Sequence, residues 1–324
     1  MRISLLDRAR TRAGEPDAAA LTGLIDRARR AEALGFQRFW VAEHHGVPGV
    51  AGGSPLMLLA ALGARTERIR LGTGGVMLPN HRPLIVAEQA RLLEALHPGR
   101  LDLGLGASLG YTAGVRRALG RSRLDDGEYP ALVRELIDHL HDDATITARP
   151  QVAEPPPLFQ LAMGDGLAVA AELGLPAVVG GGLLRRPDRL EAYRRGFRPT
   201  SAEPQPRLIL SLDVAVADST AQARRLLLPE AWALARTREV GEFRPLEPLE
   251  TVEEQLSAGV SDAVDEAIRR HRDAAVVGTA AEVGEQLTDL LEASGAEEVM
   301  AWTSIHDREQ LAASDEALAS LITG

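Results

Sequence analysis

Two adjacent histidines follow an apolar segment near the start of the chain. Phe39–Ala42 is aromatic and aliphatic and gives way at once to Glu43, His44 and His45. An imidazole titrates near neutral pH, so it can take up or release a proton during a reaction. Neighbouring side chains on extended backbone point to opposite sides, so only one of the two histidines can face a given site. The pattern favours one reactive histidine at a strand end, with loop-capping histidines as the alternative.

The rest of the sequence alternates short apolar strands with helical segments. Eight strands are predicted, with their starts near Arg2, Phe39, Ile69, Leu101, Leu158, Ala177, Arg207 and Glu298. This alternation is typical of parallel strands joined by helices. It predicts an α/β fold, a single (β/α)8 TIM barrel over residues 1–324, with a doubly wound open sheet as the alternative. The acidic, proline-containing stretch 239–259 lacks clear periodicity and predicts a mobile loop.

Composition excludes several classes of protein. The net charge of −10 argues against a nucleic-acid partner. No cysteine is present, which excludes disulfides, thiolate nucleophiles and cysteine-ligated metals. The chain has no apolar run that approaches a membrane span, and its first residues are too short for a signal peptide. We therefore expect a cytoplasmic protein with no membrane partner, and no histidine spacing predicts a metal site.

Three segments resemble the bacterial luciferase-like flavin monooxygenases, in the same order and with the same spacing. They are FWVAEHHG, then IRLGTGGVMLPNHRPLIVAEQARLLEALHPGRLDLGLG, and finally VVGTAAEVGEQLTDLLEASGAEEVM. The resemblance covers the first third of the chain well and the last sixth moderately, and it is much weaker between residues 108 and 275. It is closest to the members of that family found in antibiotic biosynthesis.

The resemblance implies a two-component monooxygenase of the luciferase-like barrel fold. A separate reductase would supply reduced FMN, and the barrel would use it with O2 to oxygenate a small organic substrate. His44 matches the family's catalytic imidazole, with Glu43 beside the cofactor, and His45 would point away and be structural. The family also forms homodimers, for which the apolar faces of segments 54–64 and 83–96 are the candidates here.

Two glycines match a position that supports the flavin ring in the resembling family. Gly74 and Gly75 fall where that family often has a non-proline cis peptide. Such a bond is rare and persists only where the surrounding structure enforces it. The alternative is a pair of glycines needed only for packing at a strand end.

The sequence departs from the resembling family where the flavin phosphate is bound. The family usually has an arginine just beyond the fourth strand, whereas this chain has Ala107 after Gly106. Arg116 or Arg117 would have to replace its charge. A hydrogen bond to a charged group contributes about 1.5–3 kcal/mol, so its loss predicts weak FMN binding.

A second departure lies at the helix start after the fifth strand. The family usually places serines there, and this chain has Met163, Gly164, Asp165 and Gly166. Backbone N–H groups at a helix start can still bind an anion. We expect Asp165 to cap those amides itself and to repel a phosphate. These departures leave two alternatives open: a deazaflavin-dependent oxidoreductase, or a non-catalytic barrel that has lost its phosphate site.

Overall fold

The structure, a computed structural model, describes residues 1–240 and 242–322, without the side chains of 238–240. Ten strands lie in this part of the chain. They are β1 (Arg2–Asp7), β2 (Arg38–Val41), β3 (Arg70–Thr73), β4 (Val76–Met77), β5 (Leu101–Gly106), β6 (Leu158–Ala162), β7 (Ala177–Gly180), β8 (Leu208–Val216), β9 (Val276–Gly278) and β10 (Glu298–Trp302).

Helices connect the strands along the outside of the sheet. They are α1 (Asp17–Leu34), α2 (Pro55–Gly63), α3 (Pro83–Leu96), α4 (Ala113–Ala118), α5 (Glu128–Leu140), α6 (Gly166–Leu173), α7 (Pro187–Gly196), α8 (Thr220–Leu226), α9 (Leu228–Val240), α10 (Leu249–Ser257), α11 (Asp262–Ala274), α12 (Ala280–Ser294) and α13 (Arg308–Ala319). Among residues 1–240 and 242–322, none of the helices combines the length and the apolar character needed to cross a lipid bilayer.

Eight parallel strands close into a barrel. Their order is β10, β1, β2, β3, β5, β6, β7 and β8, and β8 pairs with β10 to complete the ring. The short strands β4 and β9 pair only with β5 and β8. The predicted eight-stranded TIM barrel is therefore confirmed. The predicted third strand is interrupted, because β3 ends at Thr73 and the chain resumes as β4 after two glycines.

Alternation along each strand sorts side chains between the lumen and the helix layer. Trp40, Phe159, Ile209 and Met300 pack together inside the barrel, separate from the larger core between strands and helices. The rings of Trp40 and Phe159 meet edge to face, with centroids 5.4 Å apart. Gly72 lies where any Cβ would overlap the Trp40 ring, so a glycine is required on the neighbouring strand.

Ion pairs fill the amino-terminal end of the barrel. Arg38 donates from Nε to Asp102 Oδ2 at 2.9 Å and also pairs with Glu298. Arg70 binds the same Asp102 carboxylate from the adjacent strand, at 2.6 Å. Asp102 is fully buried between the two arginines, so this end of the barrel is occupied by paired charges. In barrels of this kind ligands bind at the carboxyl end of the strands.

The prediction of a mobile loop at 239–259 is wrong for the second half of that segment. Residues Leu249–Ser257 form α10, whose Val252 is buried against α9 and α11. Leu249, Val252 and Leu256 have helical spacing, which the many glutamates between them concealed. Gly241, within the same predicted loop, lies outside the described residues.

Candidate active site at the barrel mouth

His44 lies at the carboxyl end of β2 on the lumen side. Trp40 and Ala42 both point into the barrel, so the period of two places His44 on the same side and Glu43 opposite. The His44 backbone N–H donates to the carbonyl of Gly52 at 3.0 Å, which fixes the start of the loop after β2. The prediction that only one histidine faces the mouth agrees with this geometry.

His44 is the first of three stacked rings. The His44 and Tyr111 ring centroids are 5.4 Å apart with 21° between the planes. Tyr111 stacks in turn on Phe243, with centroids again 5.4 Å apart. The guanidinium of Arg10 lies 4.2 Å from the Phe243 centroid on the far end of the stack. Segments that follow β1, β2, β5 and α9 thus meet over the mouth.

The environment of His44 keeps its imidazole neutral at pH 7. Burial, followed by the positive charges of Arg8 and Arg10, lowers the pKa of His44 to about 4. Its Nδ1 atom is buried and has no hydrogen-bond partner among the described residues. A neutral imidazole with an unused ring nitrogen can exchange one hydrogen bond or one proton with a bound molecule.

A buried carboxylate holds the two arginines in place. Glu230 Oε1 accepts from Arg8 Nη2 at 2.7 Å, and Glu230 Oε2 accepts from Arg10 Nε at 2.8 Å. Burial alone would raise the pKa of Glu230, but Arg10 and Arg8 outweigh it and lower the pKa to about 2. Arg8 also donates to Ser304 Oγ at 3.0 Å and covers the Trp302 ring. Glu230 therefore stays ionised and fixes the positive charge beside His44.

A second acid–base pair lies on β8 and α11. Asp213 Oδ2 is 3.0 Å from His271 Nε2, and the His271 ring is 6.1 Å from that of Trp302. Asp213 is buried, and its burial raises the pKa of the carboxyl group. The mouth thus contains two carboxyl groups in contrasting environments, since Glu230 is held ionised and Asp213 is pushed toward its protonated form.

Glu43 points away from the lumen and serves as a hydrogen-bond acceptor for three donors. Its Oε1 lies 2.7 Å from His45 Nε2 and 2.8 Å from His81 Nε2. Its Oε2 accepts from the Met77 backbone N–H at 2.9 Å. The side chain is only 1% exposed, so this geometry assigns Glu43 to anchoring β4 rather than to direct cofactor contact. His45 contacts Glu43 on this side of the strand end, and its structural role stays a prediction.

The same cluster contains the donor set of a divalent metal site. The ligand atoms of Glu43, His45 and His81 all lie within 4.8 Å of one another. Two imidazoles and a carboxylate are common zinc ligands. Here hydrogen bonds already join the three groups, so the cluster is accounted for without an ion.

The Gly74–Gly75 peptide bond is cis, at the position that the sequence suggested. A Cβ on Gly74 would lie 2.7 Å from Leu6 Cδ1 in the barrel interior. A Cβ on Gly75 would lie 2.7 Å from the carbonyl oxygen of Gly104 on the neighbouring strand. The two interpretations of these glycines are therefore compatible, since the cis bond and the close packing occur together.

The strand ends at β5 and β6 form an open rim. An added Cβ at Gly106 would touch only the Val76 carbonyl oxygen, at 3.8 Å, and one at Gly164 would touch nothing within 4 Å. Ala107 and Met163 are exposed beside them. The rim therefore has space for a ligand, and Ala107 brings no charge to it.

The expectation that Asp165 caps α6 is wrong. Asp165 already has helical backbone angles, φ −68° and ψ −13°, and its side chain makes no capping hydrogen bond. A capping residue needs extended backbone to direct its side chain at the first amides. Asp165 instead pairs with Arg189 Nη2 of α7 at 3.1 Å. Asp165 therefore does not occupy the α6 amides, and it would oppose a phosphate there only through its negative charge.

The two arginines proposed as substitutes for the missing phosphate ligand do not reach the α6 start. Arg116 Nη1 donates to the carbonyls of Gly110 and Tyr111, at 3.0 and 3.3 Å, within its own loop. Arg117 is exposed on α4. Arg189, by contrast, contacts the α6 start through its ion pair with Asp165. The sequence pattern did not identify Arg189.

A protein-family model described as luciferase-like monooxygenase matches residues 1–298. The chain belongs to this family. It is 33% identical over 320 residues to the luciferase-like monooxygenase of Escherichia coli (strain K12), with 95% of this chain and 92% of that protein covered. Membership makes the protein a monooxygenase, an oxidoreductase that incorporates oxygen, and argues against the non-catalytic alternative.

Solved structures of similar proteins share the barrel. The crystal structure of apo-MsnO8 matches 99% of this chain and 98% of its own, with 31% identity and a TM-score of 0.90. The oxygenating constituent of 3,6-diketocamphane monooxygenase from Pseudomonas putida, in complex with FMN, has a TM-score of 0.73 at 18% identity. The alignment covers 98% of this chain and 96% of the Pseudomonas putida chain. At that identity the likeness concerns the fold of the luciferase-like monooxygenases alone.

The sequence patterns did not identify most of the charged groups at the mouth of this luciferase-like barrel. Asp213 carried a usable signal, because it is a lone acid within the apolar strand Leu208–Val216. Arg8 and Arg10 follow β1 as His44 follows β2, so their position at a strand end was also a signal. Glu230 carried none, since its helix places it in the mouth only through tertiary packing.

Proposed function

We propose that this chain is the oxygenating component of a two-component flavin monooxygenase. It would bind reduced FMN delivered by a separate reductase, together with a small organic substrate of secondary metabolism. One oxygen atom of O2 enters the substrate, the other leaves as water, and the reduced flavin supplies two electrons. The observation that carries this proposal is a neutral His44 with an unused Nδ1, beside a cis Gly74–Gly75 bond at the mouth.

The open rim at the mouth would accommodate a flat cofactor, although Ala107 supplies no charge for its phosphate. The cis peptide would support one face of its ring, and the rim would hold its chain at Gly106, Ala107, Met163, Gly164, Asp165 and Gly166. The added-Cβ distances at Gly106 and Gly164 leave this rim open. When bound, the flavin supplies the activation of oxygen.

The protein's own groups would control protons and water. His44 is neutral in the resting state because burial, followed by the charges of Arg8 and Arg10, disfavours its charged form, so its Nδ1 atom would accept one hydrogen bond from the substrate or donate one to it. Glu230 keeps those arginines fixed, so the positive field beside His44 is preorganised. Tyr111 and Phe243 cover the mouth and exclude water once a ligand is bound.

An anaerobic titration followed by absorbance distinguishes the cofactors. We expect reduced FMN to change its spectrum on binding and deazaflavin to remain unchanged. A response to deazaflavin alone would favour the deazaflavin-dependent oxidoreductase, and a response to neither would remove the proposal. Gly106→Val is the test variant, because it adds bulk to the rim at a position where a Cβ meets only the Val76 carbonyl oxygen, at 3.8 Å. It should lose the response and keep the thermal stability of the parent.

The assembly we propose is an isologous homodimer through α2 and α3. These two helices pack against each other and expose four large apolar side chains. The side chains are Met57, Ile85, Leu92 and Leu96, each 47–73% exposed. Apolar groups concentrated on one surface favour burial against a second copy of the same surface.

A further inference from the structure

An arginine-rich cavity lies beside the mouth, between α1 and the segments that follow β1 and β10. Its volume is about 80 Å³, room for a few water molecules or one small ion. Five guanidinium groups line it, and only two carboxylates do, Asp7 and Asp26. The arginines are Arg10, Arg12, Arg27, Arg30 and Arg308.

Some of these arginines are neutralised by nearby acids. Arg27 pairs with Asp7 at 3.0 Å and with Asp315 at 2.8 Å. Arg308 pairs with Glu15 at 2.7 Å. Arg10 has a carboxylate too, but it shares Glu230 with a second arginine outside the cavity lining.

The other two arginines have no carboxylate partner within residues 1–240 and 242–322. Arg12 is buried and donates only to backbone carbonyls, those of Arg10, Ile305 and His306. Arg30 forms no ion pair in this part of the chain, and its Nε is buried without a hydrogen-bond partner. The cavity therefore contains more positive than negative charge.

Three residues of the cavity lining carry a donor atom without a partner in the described part of the chain. Arg10 Nη2, Arg30 Nε and Thr303 Oγ1 are buried polar atoms without partners among the described residues, and all three residues line the cavity. Arg10 and Thr303 are only 5% and 6% exposed. Buried donors are costly to leave unpaired, and such groups in folded proteins nearly always have a partner. Guanidinium groups only donate, so the missing partner is an acceptor.

We propose that this cavity is a binding site for a small inorganic anion, of the size of chloride, sulfate or phosphate. An anion accepts from all three unused donors and also neutralises Arg12 and Arg30, whereas water supplies acceptors without charge. Burial and the positive charges of Arg308 and Arg27 lower the pKa of Arg12 to about 10, which agrees with a surplus of positive charge. Through Arg10 the anion is linked to Glu230 and so to the mouth.

Thermal unfolding of the full-length protein at constant ionic strength tests the site. Chloride, sulfate and phosphate are titrated against gluconate, which is too large for a cavity of about 80 Å³. We expect at least one of the three to raise the Tm along a saturable curve, because a ligand of the folded state stabilises it by mass action. The anion with the lowest Kd identifies the class of occupant. Equal curves for all anions, gluconate included, would overturn the proposal.

Variants separate this site from general salt effects. Arg30→Met and Thr303→Val each remove one unused donor, and we expect each to weaken the apparent Kd at least tenfold. Arg68→Met is the control, since it removes the same charge from a side chain that is 74% exposed and outside the cavity lining. Its Kd should stay within twofold of the parent. A bromide-soaked crystal adds a direct readout: an anomalous peak in the cavity supports the anion, and water alone there contradicts it.

Discussion

Tyr111 lies flat against His44, with ring centroids 5.4 Å apart and 21° between the planes. The two residues come from different loops, one after β5 and one after β2. Tyr111 is 46% exposed although Phe243 stacks on its other side. The ring thus covers one face of His44, and a ligand that stacks on that face would have to displace it.

We predict that removing this ring strengthens cofactor binding. An aromatic pair contributes about 0.5–1.5 kcal/mol, so Tyr111→Ala should lower the Kd for reduced FMN about two- to tenfold. Fluorescence quenching under anaerobic conditions measures the constant. Tyr111→Phe keeps the stacked ring and should match the parent. Weaker binding in Tyr111→Ala would instead make Tyr111 part of the binding surface.

The role of His44 is tested by its removal. His44→Ala should abolish turnover, because no other neutral imidazole stacks beneath Tyr111 at the mouth among the described residues. The free energy of unfolding should change by less than about 1–2 kcal/mol, as is usual for a residue at a rim. His141→Ala, at an exposed helix end, should leave both quantities unchanged. Equal turnover in His44→Ala and the parent would end the catalytic assignment.

The lowered pKa of His44 predicts a loss of stability in mild acid. The unfolded chain binds a proton at this residue below about pH 6.5, while the folded chain does so only near pH 4. Stability therefore falls as the pH decreases from 6.5 to 4, by up to about 3 kcal/mol for this group. Folding lowers the pKa of Glu230 from 4.5 to about 2, so its contribution is lost as the pH falls from 4.5 to 2, below both pH values of the test. Urea unfolding at pH 7 and pH 4.5 should show a smaller loss in His44→Gln than in the parent.

Charge at the β5–β6 rim should control affinity for the FMN phosphate. We expect oxidised FMN to bind weakly, with a Kd on the order of 100 μM or above. Ala107→Arg should tighten binding about ten- to a hundredfold, and Arg189→Met should weaken it. Asp165→Ser should raise the affinity for FMN only modestly, since Asp165 acts through its charge and does not cap the helix. Arg186→Met is the control, because Arg186 pairs with Asp188 at the start of the same helix. Sub-micromolar affinity in the parent would contradict a deficient phosphate site.

The proposed dimer surface is tested by one buried charge. Leu92→Glu should convert the parent dimer into a monomer in light scattering at micromolar concentration, because an unpaired carboxylate would be buried in the interface. Ile146→Glu is the matched control, because Ile146 is also an exposed apolar residue, 60% exposed, but lies outside α2 and α3. It should leave the assembly unchanged. A monomeric parent would count against the dimer.

The sequence by itself determined the barrel and the fact that His44 and His45 point to opposite sides. Both follow from local periodicity: strand and helix patterns alternate, and a period of two fixes which side chains share a face. The cis bond between Gly74 and Gly75 was expected only from the resemblance to the luciferase-like family. Helix α10 was missed for a local reason, since glutamates masked its three apolar positions.

Only the tertiary structure decided the chemistry around His44. Arg8 and Arg10 meet Glu230 across more than two hundred residues of sequence, and Asp213 meets His271 across two separate elements. No local pattern encodes such pairs, because closure of the barrel brings their elements together. The role of Asp165 was hidden for another reason: capping depends on the backbone angles of one residue, and helical angles turn its carboxylate outward to Arg189.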